Sequence, residues 1–278
     1  MDNVGEELLK ASKKDNMYKF IGDAMEEGKD IQSVIDKRDD LGNTFLFNVI
    51  KANSLDPLMI MTSVAKVDIK PILNEQNKQG RTVLHEAALA SKLGNIKKLQ
   101  KRGFDFTESV DKQTNIGNTF IHNAALKGGM KEVVELIKVG LDVSPAFFKL
   151  NSRKETFLHV AAKKKVNWSK KSFPMVEAME IIKESQNVNK VDLEKFFGLK
   201  NKNNETFFDV AAKNGNVRGA INLLKAFDIP YSSKVASRGI EDFVKEKNDK
   251  EYLASFKRDT FVKKIPVVSF LKDKLKSR

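Results

Sequence analysis

The chain has 278 residues, 41% hydrophobic and 31% charged, a balance that supports a continuous core beneath a large solvated surface. It contains no cysteine, which excludes disulfides, a thiol nucleophile and thiolate metal ligands and permits a reducing compartment. The net charge of +13 admits an acidic protein, nucleic acid or an anionic membrane as partner. Met1-Asp2-Asn3-Val4-Gly5-Glu6-Glu7 lacks the basic start and apolar run of a secretory leader, and no stretch is long and apolar enough to span a bilayer. A soluble cytoplasmic protein is expected.

Taken in chain order, residues 4 to 28 read as an atypical helical pair closed by Gly28, in the place where a stacked array needs a capping unit. The pattern that then recurs is a helix start. Gly42-Asn43-Thr44-Phe45-Leu46-Phe47-Asn48-Val49-Ile50 is a loose copy of Gly80-Arg81-Thr82-Val83-Leu84-His85-Glu86-Ala87-Ala88. Better copies begin at Gly117 and Lys154, and a further loose one at Asn204. Threonines at 44, 82, 119, 156 and 206 stand 38, 37, 37 and 50 residues apart, a period that signals stacked supersecondary units.

In the three best units Thr is placed as the N-cap, and Leu84, Ala87 and Ala88 fall on one face, where small side chains let a neighbouring helix approach. A second helix follows, marked by Ile96 and Leu99, by Val133, Val134, Leu136 and Ile137, and by Ile221, Leu223 and Leu224. Gly103 and Gly140 stand as its C-caps, each 16 positions before the next threonine, as Gly28 stands before Thr44. The connectors repeat an Asp followed by an apolar residue at Asp30, Asp68, Asp105, Asp142, Asp192 and Asp228. Val34-Ile35, Ile72-Leu73, Phe147-Phe148 and Phe196-Phe197 follow, which predicts a short Asp-capped helical turn tucked under each unit.

These features resemble the ankyrin repeat: a Thr-x-Leu-His-x-Ala-Ala helix start, a second helix and a Gly-ended turn. Val or Phe replaces the family's proline after Thr, and the period exceeds the family's roughly 33 residues. The resemblance implies an all-α ankyrin repeat solenoid of helix-turn-helix units with lengthened connectors. It would be a single array over residues 1–259, of about six units with degenerate terminal caps near 4–28 and 237–259, followed by a basic tail at 260–278. The long interval comes from an insertion at 163–174, between the two helices of one unit.

His85, His122 and His159 are the whole histidine supply and share one register, three residues after Thr. The resemblance implies that each bonds within its own turn and to the adjoining loop, and Asp209 in the same place is expected to form a capping box with Thr206. Units stacked about 8 to 10 Å apart would hold the imidazoles too far apart for zinc, which needs ligands at about 2 Å. Neither a Gly-Lys-Ser/Thr loop, a Gly-x-Ser-x-Gly elbow nor a His-Glu-x-x-His pair occurs. No enzyme, cofactor, metal site or small-molecule substrate is therefore expected.

The resemblance implies that a protein partner docks on the concave face of first helices and loop tips. By position that face includes Glu86, Leu89, Asn123, Leu126, Val160 and Lys163. The insertion adds Lys164, Lys165, Lys170 and Lys171 around Trp168, the only tryptophan. It reads either as a solvated loop or as a contact that attracts an acidic surface and buries the indole. The alternative partner is nucleic acid or an anionic membrane, held by the insertion and tail. The preference for Lys over Arg and the abundance of Asn are similar to ankyrin proteins of AT-rich intracellular bacteria, which implies an effector delivered into a host cell as a further alternative.

Overall fold

A computed structural model describes residues 2–13, 16–53, 55–164, 174–185 and 190–227. Among these the chain is all-helical, and one isolated bridge pairs Lys200 with Thr206. The helices alternate between two rows. The first row holds α1 (Asp2–Lys13), α3 (Phe45–Ala52), α6 (Val83–Leu89), α8 (Phe120–Lys127), α10 (Phe157–Lys163) and α13 (Phe207–Lys213). The second holds α2 (Met17–Glu26), α4 (Leu55–Ser63), α7 (Leu93–Gln100), α9 (Met130–Ile137), α11 (Pro174–Glu184) and α14 (Val217–Ala226). Two further helices, α5 (Lys70–Leu73) and α12 (Lys190–Phe197), lie in connectors.

Each first-row helix packs on its row neighbours, α1 on α3, α3 on α6, α6 on α8, α8 on α10 and α10 on α13. In the second row α2 meets α4, α7 meets α9, α9 meets α11 and α11 meets α14. The small faces set this order. Ala87, Ala88, Ala124, Ala125, Ala161, Ala162, Ala211 and Ala212 are all buried, so successive first helices approach with little between their backbones. The residue after each threonine, Phe45, Val83, Phe120, Phe157 or Phe207, is buried at the same place, where a fully covered side chain stabilises by roughly 1.5–3 kcal/mol.

The connectors follow the predicted pattern in four units. Carboxylate oxygens of Asp30, Asp68, Asp105 and Asp142 accept from the backbone N–H of Ser33, Lys70, Thr107 and Ser144. Three of these carboxylates introduce short 3-10 turns at Gln32–Val34, Thr107–Ser109 and Ser144–Ala146, and Asp68 introduces α5. Beneath them Ile31, Ile69, Phe106 and Val143 are buried. Two expectations need correction. Asp192 lies inside the first turn of α12 and not ahead of it, because this connector forms a full helix that begins two residues earlier. Phe148 is 43% exposed, since its neighbour Phe147 takes the inward place, and only the edge of its ring meets Phe196, at 5.3 Å.

The C-terminal units carry an aromatic core. Phe147, Phe157, Phe196, Phe197, Phe207 and Phe208 form a chain of ring contacts with centroids 5.2 to 5.9 Å apart. Such rings add favourable edge and offset contacts to their area burial. Gly28, Gly103 and Gly140 end second helices at positive φ of +62°, +89° and +97° with open space where a Cβ would stand, so left-handed backbone is their whole requirement. The expected C-terminal capping unit, the Asp228 connector, most of the 163–174 insertion and the 260–278 tail lie outside the described residues.

Candidate interaction surface

The surface is built from turns that stack on one another. Five residues before each threonine stands Asp39, Asn77, Thr114, Asn151 or Asn201. Its backbone N–H donates to the carbonyl four residues on, closing a tight turn at all five places. Its side-chain oxygen accepts backbone N–H groups of the same turn, as Asn77 does from Gln79 and Arg81. The residue three further on has positive φ: Gly42, Gly80, Gly117, Lys154 and Asn204. A backbone bond then links each turn to the next, from Lys78 to Leu41, Asn115 to Gln79, Ser152 to Ile116 and Lys202 to Arg153. This close approach adds a second demand for glycine, since a Cβ on Gly117 would lie 2.8 Å from the Asn151 Cα.

A second ladder runs through side-chain amides. Gln76 Nε2 donates to the carbonyls of Gly80 and Gln113, and Gln113 Nε2 donates to those of Gly117 and Leu150. Arg38 does the same with Gly42 and Gln76. Sequence reasoning missed both ladders. The signal was present in the recurrence of Asx or Thr five residues before each helix-starting threonine, and in the 37-residue spacing of Gln76 and Gln113.

The histidines form a third ladder. Nδ1 of His85, His122 and His159 accepts from the backbone N–H of Thr82, Thr119 and Thr156 at 3.1 to 3.2 Å. Nε2 meets the next unit's turn, at the carbonyls of Asn118, Glu155 and Glu205, 2.9 to 3.1 Å away. A backbone N–H can only donate and a carbonyl can only accept, so each ring is neutral with its proton on Nε2. Burial pushes His85 and His122 down to about 4 and lowers His159 as well. The expected capping box is also present at the last unit, where Thr206 N–H and hydroxyl donate to Asp209 at 2.7 and 2.8 Å. At the first unit Phe47 fills the place, and the buried Thr44 hydroxyl has no partner.

The six positions assigned to the first-helix face separate into two groups. Asn123 and Val160 are 3% and 9% exposed and offer a partner almost no surface, because each lies within the packing of its own seam. Leu126 is exposed, Leu89 is half-buried, and Glu86 is half-buried between Arg81 and Lys51 at 3.4 and 3.8 Å. Lys163 is exposed and pairs with the buried Glu155. Lys164 is half-buried, and its carbonyl accepts from Asn216 Nδ2 at 2.5 Å. Lys165, Trp168, Lys170 and Lys171 lie outside the described residues.

Charge on this face is unevenly satisfied. Glu155 and Glu205 are each held by a lysine eight residues on, Lys163 and Lys213. Lys78, Arg153, Lys154 and Lys202 are exposed at the turn edge and have no ion pair among the described residues. The Lys202–Arg153 backbone bond, 2.9 Å long, brings the backbones of three of these four residues together. The exposed apolar side chains Leu41 and Ile116 stand on the same edge. An open groove between α1 and α2 is mixed in sign, with Lys29 bridging Glu7 and Glu27 at 3.1 and 2.8 Å.

Among the described residues no three His, Asp or Glu side chains gather as metal ligands, and no helix is long and apolar enough to cross a membrane. Searches of protein-family models and of curated proteins find no match to the chain.

Proposed function

We propose that this chain is an ankyrin-type solenoid that acts by capturing another protein and performs no chemistry of its own. The observation that carries the reading is the turn edge, where backbone-linked turns set Arg153, Lys154 and Lys202 together after the neighbouring carboxylates have been consumed by Lys163 and Lys213. Such an edge favours an acidic protein surface, and Ile116, exposed on the adjoining turn, gives that partner an apolar contact. The recurring Thr-x-Leu-His-x-Ala-Ala helix starts and the row-by-row packing support the same reading.

The experiment compares the intact chain with two variants, the charge reversal Arg153→Glu/Lys154→Glu/Lys202→Glu and deletion of Lys165 to Ser172, as baits at low and high salt. The account expects one acidic protein to be retained by the intact chain at moderate salt and lost from the charge reversal. The deletion is expected to leave thermal stability nearly unchanged and to weaken capture if Trp168 serves recognition. Retention of nucleic acid or anionic vesicles instead, falling steeply with salt, would replace this reading with the electrostatic one. Undiminished capture by both variants would remove the turn edge and the insertion from the interface.

A further inference from the structure

We propose that the three histidines make the middle of the array its acid-labile part, so that on acidification the seams from α6 to α13 separate before the N-terminal end comes apart. The geometry carries this. Each imidazole joins two units only in its neutral form, with Nδ1 accepting from its own cap and Nε2–H donating to the next turn. A proton added to Nδ1 would face the threonine N–H, donor against donor, with only the threonine Oγ1, 2.8 to 2.9 Å away and already accepting from the histidine's own backbone N–H, left to take it, and would leave a cation in a seam where all three residues have 0% exposure. The α3–α6 seam has Phe47 in that place and nothing there to protonate.

The charged neighbours rank the seams. Around His85 are Arg81 on its own turn and His122 across the α6–α8 seam, which both oppose a proton, while the Asn118 and Lys112 backbones favour one and the Lys112 ammonium is turned to the Asn74 carbonyl. Glu86, next along α6, is engaged by Arg81 and Lys51. His122 faces Glu155 on the following turn and His159 beyond it, and His159 lies near Glu155, Glu205 and Lys163. Both glutamates are held by lysines, Glu155 by Lys163 and Glu205 by Lys213. The α6–α8 seam, whose histidine has Arg81 beside it while Glu155 and Glu205 still favour protonation of His122 and His159, is therefore the most acid-sensitive.

Burial lowers the folded-state value for His85 and His122 from 6.5 to about 4, so between those values the unfolded chain binds more protons. The stabilisation is complete above about pH 6.5 and is lost as pH falls toward 4. At pH 5 each of these two histidines weakens the folding equilibrium about 30-fold, while ordinary carboxylates, with values near 4, remain mostly ionised.

The test is hydrogen exchange of the full chain at pH 7.5 and 5.0, expressed as protection relative to the intrinsic rate. At pH 5.0 amides of α6 and α8 are expected to lose protection about 30-fold where seams open singly, and up to about a thousandfold where both open together, with much smaller losses in α1 to α3. A uniform loss, or α6 and α8 remaining the best-protected helices at pH 5.0, would overturn the proposal. The variant His85→Asn/His122→Asn supplies an independent check, because an amide oxygen can still accept from threonine but gains no proton. It is expected to be less stable at pH 7.5, with a urea midpoint that falls far less on moving to pH 5.0. A fall equal to that of the unmodified chain would contradict the proposal, and should the variant fail to fold, the exchange profile of the unmodified chain decides.

Discussion

Phe47, His122 and Asp209 occupy the same place in their helices, three residues after threonine, and hold the array in three different ways. Phe47 contributes only burial and leaves the Thr44 hydroxyl without a partner. Asp209 caps its own turn through Thr206. His122 does both jobs of a polar residue, capping Thr119 and reaching the Glu155 carbonyl of the next unit. The difference teaches that the interior seams are specified by directional bonds as well as apolar area. The seam that holds Phe47 lacks only the imidazole's bond and keeps those from Lys78 to Leu41 and from Arg38 to Gln76, so the imidazole adds to turn-to-turn bonds that every seam carries.

The largest break in this comparison is expected from His122→Ala. It leaves the Thr119 N–H buried and unpaired beside a cavity and takes one of two donors from the Glu155 carbonyl, which keeps the Asn151 N–H, and the cost is about 3 kcal/mol at pH 7.5, measured by urea unfolding. A cost under about 1 kcal/mol would show that the two groups find other partners. Next comes Gly117→Ala, expected to cost about 2–3 kcal/mol, because positive φ and the 2.8 Å approach of Asn151 both oppose a Cβ. Gly103→Ala meets open space and is expected to cost about 1 kcal/mol. Equal losses at the two glycines would mean that turn-to-turn contact contributes little. The smallest effect is assigned to Asp209→Ala, about 1 kcal/mol, because Asp209 bonds only within its own turn.

Much of this was legible in the sequence because a repeat states each feature several times. The threonine starts, the alanine faces, the glycine C-caps and four of the six Asp-apolar connectors recur, mostly at 37 or 38 residues, and period is the strongest sequence signal a repeat offers. Asp192 misled because its place in the repeat gave no warning that this connector had grown into α12, where the preceding residues extend a helix through it. The exposed face was harder to read. Asn123 and Val160 carry no mark of burial beyond their register, and whether a position between His and the Ala pair faces solvent depends on how closely the next helix approaches. The amide ladder of Gln76 and Gln113 leaves only their 37-residue spacing in the sequence, since its partners are carbonyls that no side-chain pattern reveals.

The central claim is that neutral imidazoles, with the proton on Nε2, join neighbouring units. Long-range 1H–15N correlation spectra of the three histidines test it most directly, recorded from pH 8 to 5. The account predicts Nε2–H tautomers for His85, His122 and His159, with His85 and His122 remaining neutral to pH 5 for as long as the chain is folded. Nδ1–H tautomers, or midpoints near 6.5 in the folded protein, would contradict it.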